Sequence, residues 1–557
     1  MRRVLALIIA LGLAASSSMA AETSSSAEPA VEQVVETTAA QPAEPPPEQI
    51  SKAAEANKDY YIRLGGFVRF WASMNLKDVP ELQPASNAAD PYDSAWKPSM
   101  FRGSLELSAD AKTGPIKWRA VGRGDREVLT TYEKKLQDRN KRLLPGGPGE
   151  DLAQYYEETR LRELYAEFDL GSQVNVRLGK QQVVWGETDF FHPTDLIQGF
   201  DFRWRSFLEG ESDELRKPLI LANVRIAVPD ANGSLQVVVR PGLDAKRDIG
   251  NTYSQSGGRW AAQPFRGEDF LGGGATRYDY DHPSGKYREL TGGLRWTGTA
   301  GEYNYALSWL RTFNPDPVFN PANDPLNPTV NRFYKKVPSA TFGDWFYPII
   351  NVTAASISTE VRPIDAVINV EVAYHQKKLF NTGTSASFAG LVFPGVAGVK
   401  EKEIIQATLR ADKMLRWTQG LLGTNAPSFF TVQLFDTWIQ NFDKKDDIVE
   451  NVGYGAAAKE HQAIFTAVLA LDYMASTLKP QIAAGAYLQY GDAFVIPSIA
   501  YLYGSHWRFL LEGDIFIPKH TKSPVGQPLV GETESGTRGI GPLANSDQIM
   551  FRVTYQF

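Results

Sequence analysis

Side chains that could do chemistry are concentrated in one stretch of the chain, from Trp185 to about Lys217. Aromatic rings stand there beside carboxylates and guanidinium groups, and the residues with a candidate role are Trp185, Glu187, Asp189, Asp195, Arg203 and Arg205. Exposed rings are costly, since burying each one contributes roughly 1.5 to 3 kcal/mol. We therefore expect this segment to pack inside a larger structure and narrow an aqueous path, where its charges would discriminate among solutes. A loop that only plugs or stiffens a wall, or that packs against a neighbouring subunit, would show the same composition.

The same stretch contains the best candidate for acid–base or metal chemistry, which is His192 between Asp189 and Asp195. A histidine that packs within a loop is the simpler interpretation. The other histidines are scattered along the chain without a neighbouring serine motif, cysteine is absent, and no metal-ligand spacing occurs. The sequence therefore predicts neither an enzyme nor a bound cofactor.

The N-terminus carries targeting information rather than a folded element. Arg2 and Arg3 precede an apolar run and a small-residue cleavage site at Ser18–Ala20, so residues 1–20 are interpreted as a signal peptide. Residues 21–50 contain six Glu, five Pro and no Lys or Arg, which predicts a disordered acidic leader over 21–58. Docking of this leader to a periplasmic partner or to peptidoglycan stays open. Residues 59–557 form the predicted folded body.

From Tyr60 onward the chain alternates apolar and polar residues with a period of two, which indicates β-strands. Ile62, Leu64, Val68 and Phe70 share one face of the first such segment. Short turns and long polar loops alternate between the segments, as in outer-membrane barrels with periplasmic turns and extracellular loops. The predicted fold class is an all-β, antiparallel transmembrane barrel of about 18 strands (16 to 18). The strands are placed near residues 60–74, 98–110, 115–127, 160–170, 173–185, 219–228, 233–240, 287–298, 301–312, 349–361, 364–376, 401–411, 428–440, 460–473, 478–490, 493–503, 505–516 and 546–557.

If lipid contacts the apolar face, the other face of each strand must line a lumen. The arginines predicted on that face are Arg63, Arg69, Arg119, Arg123 and Arg177. They could draw anionic solutes along the wall. They could equally be the paired and solvated side chains that any wide barrel carries inside, and the sequence leaves both interpretations open.

The last strand candidate alternates Phe551, Val553, Tyr555 and Phe557 with polar residues, and the chain given stops at the phenylalanine. This pattern resembles the terminal strand that the barrel-assembly machinery of Gram-negative bacteria reads. Phe551, Tyr555 and Phe557 are therefore the predicted assembly signal.

The run from Gly179 to Phe190, followed by Asp195 and then Asp201-Phe202-Arg203, resembles a signature of Gram-negative outer-membrane proteins known only as a domain of unknown function. That signature reads Gly-Arg-Gln-x-x-x-Trp-Gly-Glu and then Asp-x-x-x-Pro-x-Asp. The resemblance implies a wide barrel, often associated with hydrophobic or lipid-like compounds. Lys180 replaces the arginine of the signature, and Gln198-Gly199 stands where an Asn-Pro pair is expected.

Two functions fit these patterns: a porin-like outer-membrane channel for small, hydrophobic or amphipathic solutes, and a surface barrel whose long loops bind external partners. A barrel of about eighteen strands is wider than an anchor needs, which favours the channel. The expected partners are outer-membrane lipid, the assembly machinery and a solute. The net charge of −6 argues against nucleic acid, and the oligomeric state is open.

Deleting Phe557 should lower the amount of folded barrel in the outer membrane under strong expression, because the terminal aromatic would be part of the assembly signal. Heat-modifiable mobility on gels measures the folded fraction. An unchanged yield would exclude this role for the residue.

Overall fold

The computed structural model describes residues 60–78, 94–186, 191, 193–205, 212–261, 266–267, 269, 276–278, 290–322, 343–388, 391–392, 394–453, 456–519 and 539–557. The predicted signal peptide and acidic leader lie outside the described residues.

Eighteen strands form one closed antiparallel barrel, in which each strand pairs with the next along the chain. The barrel closes where Phe67–Asn75 of the first strand pairs with Gln548–Gln556 of the last. Each strand predicted from the period-two pattern coincides with one barrel strand, so the predicted fold class is confirmed. The strands are β1 (Tyr60–Asn75), β2 (Pro98–Thr113), β3 (Ile116–Glu127), β4 (Glu158–Leu170), β5 (Val174–Gln181), β6 (Leu219–Val228), β7 (Gly233–Arg240), β8 (Thr291–Ala300), β9 (Tyr303–Phe313), β10 (Ile349–Val361), β11 (Ala366–Thr382), β12 (Gly398–Leu415), β13 (Ser428–Ile439), β14 (His461–Ala470), β15 (Leu478–Tyr487), β16 (Asp492–Tyr503), β17 (Trp507–Ile517) and β18 (Gln548–Gln556).

The connections differ between the two ends of the barrel. One end has short turns, of which two repeat the same device: a 3₁₀ turn, Pro229–Ala231 or Arg362–Ile364, is followed by Asn232 or Asp365 in the left-handed conformation. The other end has long loops, except for the four-residue loop 8. By the rule for bacterial barrels, the short turns face the periplasm. The loops are loop 1 (76–97), loop 2 (128–157), loop 3 (182–218), loop 4 (241–290), loop 5 (314–348), loop 6 (383–397), loop 7 (440–460), loop 8 (488–491) and loop 9 (518–547).

Helices are few and short in the described part of the chain. The longest begins at a capping box, in which Thr130 Oγ1 accepts a hydrogen bond from Glu133 N while Thr130 N donates to the Glu133 carboxylate. No helix among the described residues has both the length and the apolar character needed to cross a bilayer. The α-helices are α1 (Thr131–Leu143), α2 (Leu152–Tyr156), α3 (Ser212–Leu215) and α4 (Trp417–Leu421). Short strand pairs form between Asp201–Phe202 and Thr252–Tyr253, between Thr276–Tyr278, Gly343–Phe346 and Val318–Pro321, and between Ser387–Phe388 and Leu391–Val392.

The outward face of the barrel is an exposed apolar belt. Water-soluble proteins rarely expose contiguous apolar areas of this extent, whereas lipid tails require such a face. An aromatic girdle lies near the short turns, at Tyr60, Trp118, Tyr303, Trp417, Tyr501, Tyr503, Trp507 and Phe557. The barrel therefore spans the bacterial outer membrane. Exposed outward residues of the belt include Ile62, Leu64, Val68, Leu105, Leu107, Leu161, Leu164, Leu178, Leu294, Leu307, Ile357, Val372, Leu409, Leu434, Ile482, Ile499 and Leu511.

The predicted assembly signal occupies this outward face at the closing strand. Phe551 and Phe557 are exposed, and Tyr555 lies 4.9 Å from the Trp507 ring and 6.4 Å from the Phe557 ring. These rings belong to the girdle, and their recognition by the assembly machinery stays a prediction.

The three largest apolar clusters among the described residues join loops to the inner wall. One packs Val183, Trp185, Leu196 and Ile197 of loop 3 against inward residues of β6, β7, β9, β10 and β11. A second packs α1, α2 and the later part of loop 3 on Trp71, Met100 and Met550 of the wall. The third joins Trp260 of loop 4, with Ile540 and Leu543 of loop 9, to β14, β15, β16 and β17. The extracellular half of the lumen is therefore largely filled by loops.

A single cysteine can test the orientation, because the natural chain contains none. Lys444 lies exposed in loop 7, and Arg362 lies exposed in a short turn, where it pairs with Glu302. With the loops outside, Lys444→Cys should react with a membrane-impermeant maleimide in intact cells, while Arg362→Cys should react only after the outer membrane is permeabilised. The reverse labelling pattern would show that the short turns, and not the long loops, face the cell exterior.

Candidate functional site

Loop 3 enters the barrel directly after β5 ends, and Trp185 is its first anchor. The indole is 3% exposed, and its Nε1 donates a hydrogen bond to Gln236 Oε1 of β7 at 3.0 Å. Gly293 of β8 makes this approach possible, because a Cβ there would lie 3.0 Å from the Trp185 ring and closer still to the Trp309 carbonyl oxygen. The glycine therefore admits the ring against the wall.

Beyond Trp185, loop 3 contacts inner-wall residues on several strands. Thr194 Oγ1 donates to Glu371 Oε2 of β11 at 2.8 Å, and the Leu196 carbonyl accepts from Thr312 of β9 at 3.2 Å. The Phe191 ring lies 5.0 Å from that of Phe435 on β13. Contacts this widely spread around the barrel can be made only by a segment that lies within the lumen.

The later part of loop 3 returns to the strands that close the barrel. Trp204 packs edge-on against Trp71 of β1 at 5.3 Å, and the guanidinium of Arg102 lies 4.7 Å above the Trp204 ring. Arg205 pairs with Glu512 of β17. These contacts attach the segment to β1, β2 and β17.

The loop 3 charges that the sequence singled out and the structure describes each form an ion pair within the protein. Asp195 and Arg205 are each 3% exposed, and Asp195 pairs with Arg216. Each of these two groups is sealed against a partner of opposite charge, and their expected role beside an aqueous path stays a prediction. Glu187, Asp189 and His192 lie outside the described residues.

Arg203 lies at the edge of a smaller cavity of about 190 Å³, together with Asp201 and Lys217. Arg203 Nη2 binds Asp201 Oδ2 at 2.7 Å. Burial alone would raise the pKa of Asp201, but the Arg203 guanidinium outweighs it and holds that pKa far below its ordinary value. Burial lowers the pKa of Lys217 to about 8, while its ammonium donates to the Arg247 carbonyl at 3.1 Å.

A cluster of three wall arginines holds a carboxylate that loop 3 supplies. Arg69 Nη1 of β1 donates to Glu214 Oε1 at 2.6 Å, and Arg123 Nη1 of β3 donates to Glu214 Oε2. Arg162 Nη1 of β4 donates to the Glu214 backbone carbonyl at 3.2 Å. All four residues are buried. Burial would raise the pKa of Glu214, but attraction to Arg123, Arg69 and Arg162 holds that pKa well below its ordinary value.

A lumenal cavity of about 480 Å³ lies between this arginine cluster and the wall of β1 to β4 and β16 to β18. Its lining contains six arginines and three glutamates, so positive charge is in excess. It also contains apolar side chains, including Phe67, Val121, Leu502 and Leu510. The charged residues of the lining are Arg69, Arg119, Arg123, Arg162, Arg508, Arg552, Glu106, Glu163 and Glu214.

The arginines predicted for the lumen all lie on inward positions of their strands. Arg69, Arg119 and Arg123 line the large cavity, whereas Arg63 and Arg177 do not. Arg119 pairs with Asp110 at 2.9 Å and with Glu163 at 3.0 Å. Arg177 pairs with Glu167 at 2.7 Å, and Arg63 stands opposite Asp110 in the β1–β2 register.

Among the charged residues of the cavity, sequence reasoning missed Arg162, Glu163 and Glu214. The backbone register of β3 with β4 shifts between Val121 and Gly122. Val121 lies opposite Glu163 and Gly122 lies opposite Leu161, so the register skips Arg162. This bulge leaves both Arg162 and Glu163 lining the cavity. Alternation counted back from the outward residue Leu164 would place Arg162 on the lipid side, where a guanidinium is unfavourable, whereas alternation counted from the outward residue Leu161 places it in the lumen. That conflict is the one signal in the sequence that could have located it.

A second buried network fastens loops 2 and 4 to loop 3. Arg259 of loop 4 binds the carboxylates of Glu127 and Glu133, and its Nη2 donates to the Trp204 carbonyl at 3.0 Å. Its guanidinium lies 4.2 Å above the Tyr156 ring. Burial raises the pKa of Glu133 to about 8, with Arg259 opposing the shift and the charge of Glu127 adding to it. Among the described residues, no group of three or more His, Cys, Asp or Glu side chains could hold a metal ion.

Comparisons place the chain beside a family and several solved channels. The family model "Protein of unknown function (DUF1302)" matches residues 1–557. The chain is similar to the outer membrane channel DcaP of Acinetobacter baumannii, at 10% identity over 89% of this chain and 97% of that one, with a TM-score of 0.35. It is also similar to OccK1 (OpdK) of Pseudomonas aeruginosa, at 9% identity over 89% of this chain and 98% of that one, with a TM-score of 0.40. A BenF-like porin of Pseudomonas fluorescens Pf-5 is similar at 10% identity over 90% of this chain and 98% of that one, with a TM-score of 0.42. No curated protein matches the sequence.

The Glu133 network should make loop attachment depend on pH. The folded pKa near 8 lies above the ordinary value of 4.5, so the stability that this proton contributes is fully present below about pH 4.5 and is lost as the pH rises through about 8. Loops 2 and 4 of the wild type should therefore be cut by protease faster at about pH 9 than at about pH 6. Glu133→Gln stays neutral and should flatten this dependence. An equally steep dependence in Glu133→Gln would assign it to other groups.

Proposed function

The chain belongs to the family of proteins of unknown function DUF1302, and from that premise we propose that it is a porin-like channel that passes small amphipathic solutes across the outer membrane. The observation that carries the proposal is the 480 Å³ cavity left between loop 3 and the inner wall. Guanidinium groups and apolar side chains share its surface. A solute with a polar end and an apolar end would satisfy both kinds of group.

The barrel architecture supports transport over anchoring. Eight strands suffice to anchor a protein in the outer membrane, and eighteen strands enclose a lumen that side chains alone cannot fill. Here the lumen is filled from the extracellular side by loops, and the cavity lies on the periplasmic side of Glu214. A solute that passes through must therefore cross loop 3.

The alternative function, a barrel whose loops bind external partners, requires loop surfaces that face outward. The described residues of loop 4 between Ser256 and Asp269 are instead buried, and Arg259 and Arg266 donate hydrogen bonds to groups of other loops. In the part of loop 4 that the structure describes, these polar groups bind other loops and the wall. The arrangement therefore favours a channel.

Within this proposal the anchors of loop 3 and the residues that line the cavity have different roles. Trp185, Asp195 and Arg205 are positioning residues, since each is buried and fixed to the wall or to loop 3 itself. The cavity arginines and the apolar lining meet the solute. Loop 3 is thus the constriction, and its shape is set by its anchors.

Replacing residues 190–210 with a short Gly–Ser linker tests the constriction. The barrel should still fold, because its wall strands and their ladder are untouched, and single-channel conductance in planar bilayers should rise several-fold as the lumen opens. Heat-modifiable mobility reports folding.

Replacing residues 443–445, which are exposed in loop 7, with a Gly–Ser segment is the matched control and should leave conductance unchanged. Failure of the loop 3 variant to fold, or a folded variant with wild-type conductance, would assign loop 3 a purely structural role.

A further inference from the structure

Glu214 stands out among the cavity carboxylates because loop 3, rather than the wall, carries it. Its two carboxylate oxygens are bound separately by Arg69 and Arg123, and Arg162 binds its backbone carbonyl. Glu106 of β2 approaches the same cluster less closely, at 3.8 Å from Arg123 and 3.9 Å from Arg162. The best anion position in the lumen is therefore filled by a side chain that belongs to the constriction.

Buried arginines need a negative partner, because an uncompensated buried charge is strongly unfavourable. The side chains of Arg69, Arg123 and Arg162 are 8% exposed or less. A carboxylate at this point satisfies Arg69 and Arg123 whether it comes from the chain or from a solute, since the geometry of the charge-assisted hydrogen bonds is the same. Arg162, whose hydrogen bond goes to the Glu214 backbone carbonyl, adds its positive charge to the attraction. Exchange of one carboxylate for another would keep the arginines neutralised throughout.

The position also has room for a solute. The carboxylate of Glu214 lines the 480 Å³ cavity, which Phe67, Val121, Leu502 and Leu510 line as well. An organic acid whose carboxylate replaced that of Glu214 would place its hydrocarbon part against these apolar side chains. A neutral molecule of the same shape would fit the apolar lining but would not replace the charge of Glu214, and Asp125 and Glu106 would be the remaining acidic neighbours of Arg123.

We propose that Arg69, Arg123 and Arg162 form a binding site for the carboxylate group of an amphipathic solute, and that Glu214 occupies this site in the resting channel as a tethered competitor. The inference rests on the proposed channel function and specifies its substrate class. A solute carboxylate displaces Glu214, and the displaced side chain frees its segment of loop 3 from the β1, β3 and β4 wall. Release of the solute allows Glu214 to rebind. No covalent step is involved.

The test uses hexanoate as the probe and its neutral isostere hexanamide as the comparison. Binding to the purified full-length protein in detergent is measured by calorimetry, and block of ion current is measured in planar bilayers. Glu214→Gln removes the competing charge but keeps the shape, so hexanoate affinity should rise about tenfold while hexanamide binding stays unchanged. Arg162→Gln should lower hexanoate affinity by a similar factor. The two variants must change hexanoate affinity in opposite directions, because damage to the fold would weaken binding in both of them.

Glu371→Gln is the matched control. It removes the charge of one lumenal carboxylate but keeps an oxygen that can accept the hydrogen bond from Thr194, and it lies on β11, away from the arginine cluster, so hexanoate affinity should stay within about twofold. Glu214→Asp covers the case in which Glu214→Gln does not fold: it keeps the charge but shortens the reach, and should raise hexanoate affinity by a smaller factor.

The outcomes separate the two proposals. A wild-type protein that conducts no ions would overturn the channel function, whatever the calorimetry shows. A conducting wild type in which neither Glu214→Gln nor Glu214→Asp binds hexanoate more tightly would overturn the tethered competitor and leave the channel intact. Equal gains for hexanoate and hexanamide would mean that Glu214 only restricts space, which also overturns it.

Discussion

The structure depends on one constraint: backbone groups in a lipid bilayer must find every hydrogen-bond partner within the protein. The pairing of β18 with β1 meets it by removing the two sheet edges that would otherwise face lipid. Closure then fixes which side chains face lipid and which face the lumen, because residues alternate along each strand. With eighteen strands the lumen is too wide for wall side chains to fill, and the loops must supply the remainder.

Ion pairs between loop and wall residues hold the loops inside the lumen. Wall arginines of β1 and β3 bind the loop carboxylate of Glu214, while the loop arginines Arg205 and Arg259 bind the wall carboxylates of Glu512 and Glu127. Each of these four pairs thus joins a charge on a loop to a charge on the wall. Such pairs add little net stability over apolar packing, but an unmatched charge would be very unfavourable. They therefore specify where each loop sits.

This arrangement separates the groups that position the constriction from those that can meet a solute. Trp185 and the pair of Asp195 with Arg216 are sealed inside loop 3 or against the wall. The guanidinium groups of Arg69, Arg123 and Arg162 are also buried, yet they border open volume and are satisfied by a side chain that can be replaced. The solute selectivity of such a channel depends on which carboxylates compete for the lumenal arginines, and not only on the number of those arginines.

The sequence alone determined the barrel, its strand positions, its apolar outer face and the inward position of arginines such as Arg69 and Arg123. These follow from a local rule, since a period of two assigns the face of each side chain from its neighbours. Only the tertiary structure decided that Asp195 and Arg205 are sealed, that a bulge turns Arg162 into the cavity, and that Glu214 meets Arg123. The partners are far apart in the chain, with Arg205 and Glu512 separated by 307 residues and Glu214 and Arg123 by 91. Contacts of that kind depend on the register in which the barrel closes and on the path of each loop inside it, and neither is written in any local pattern.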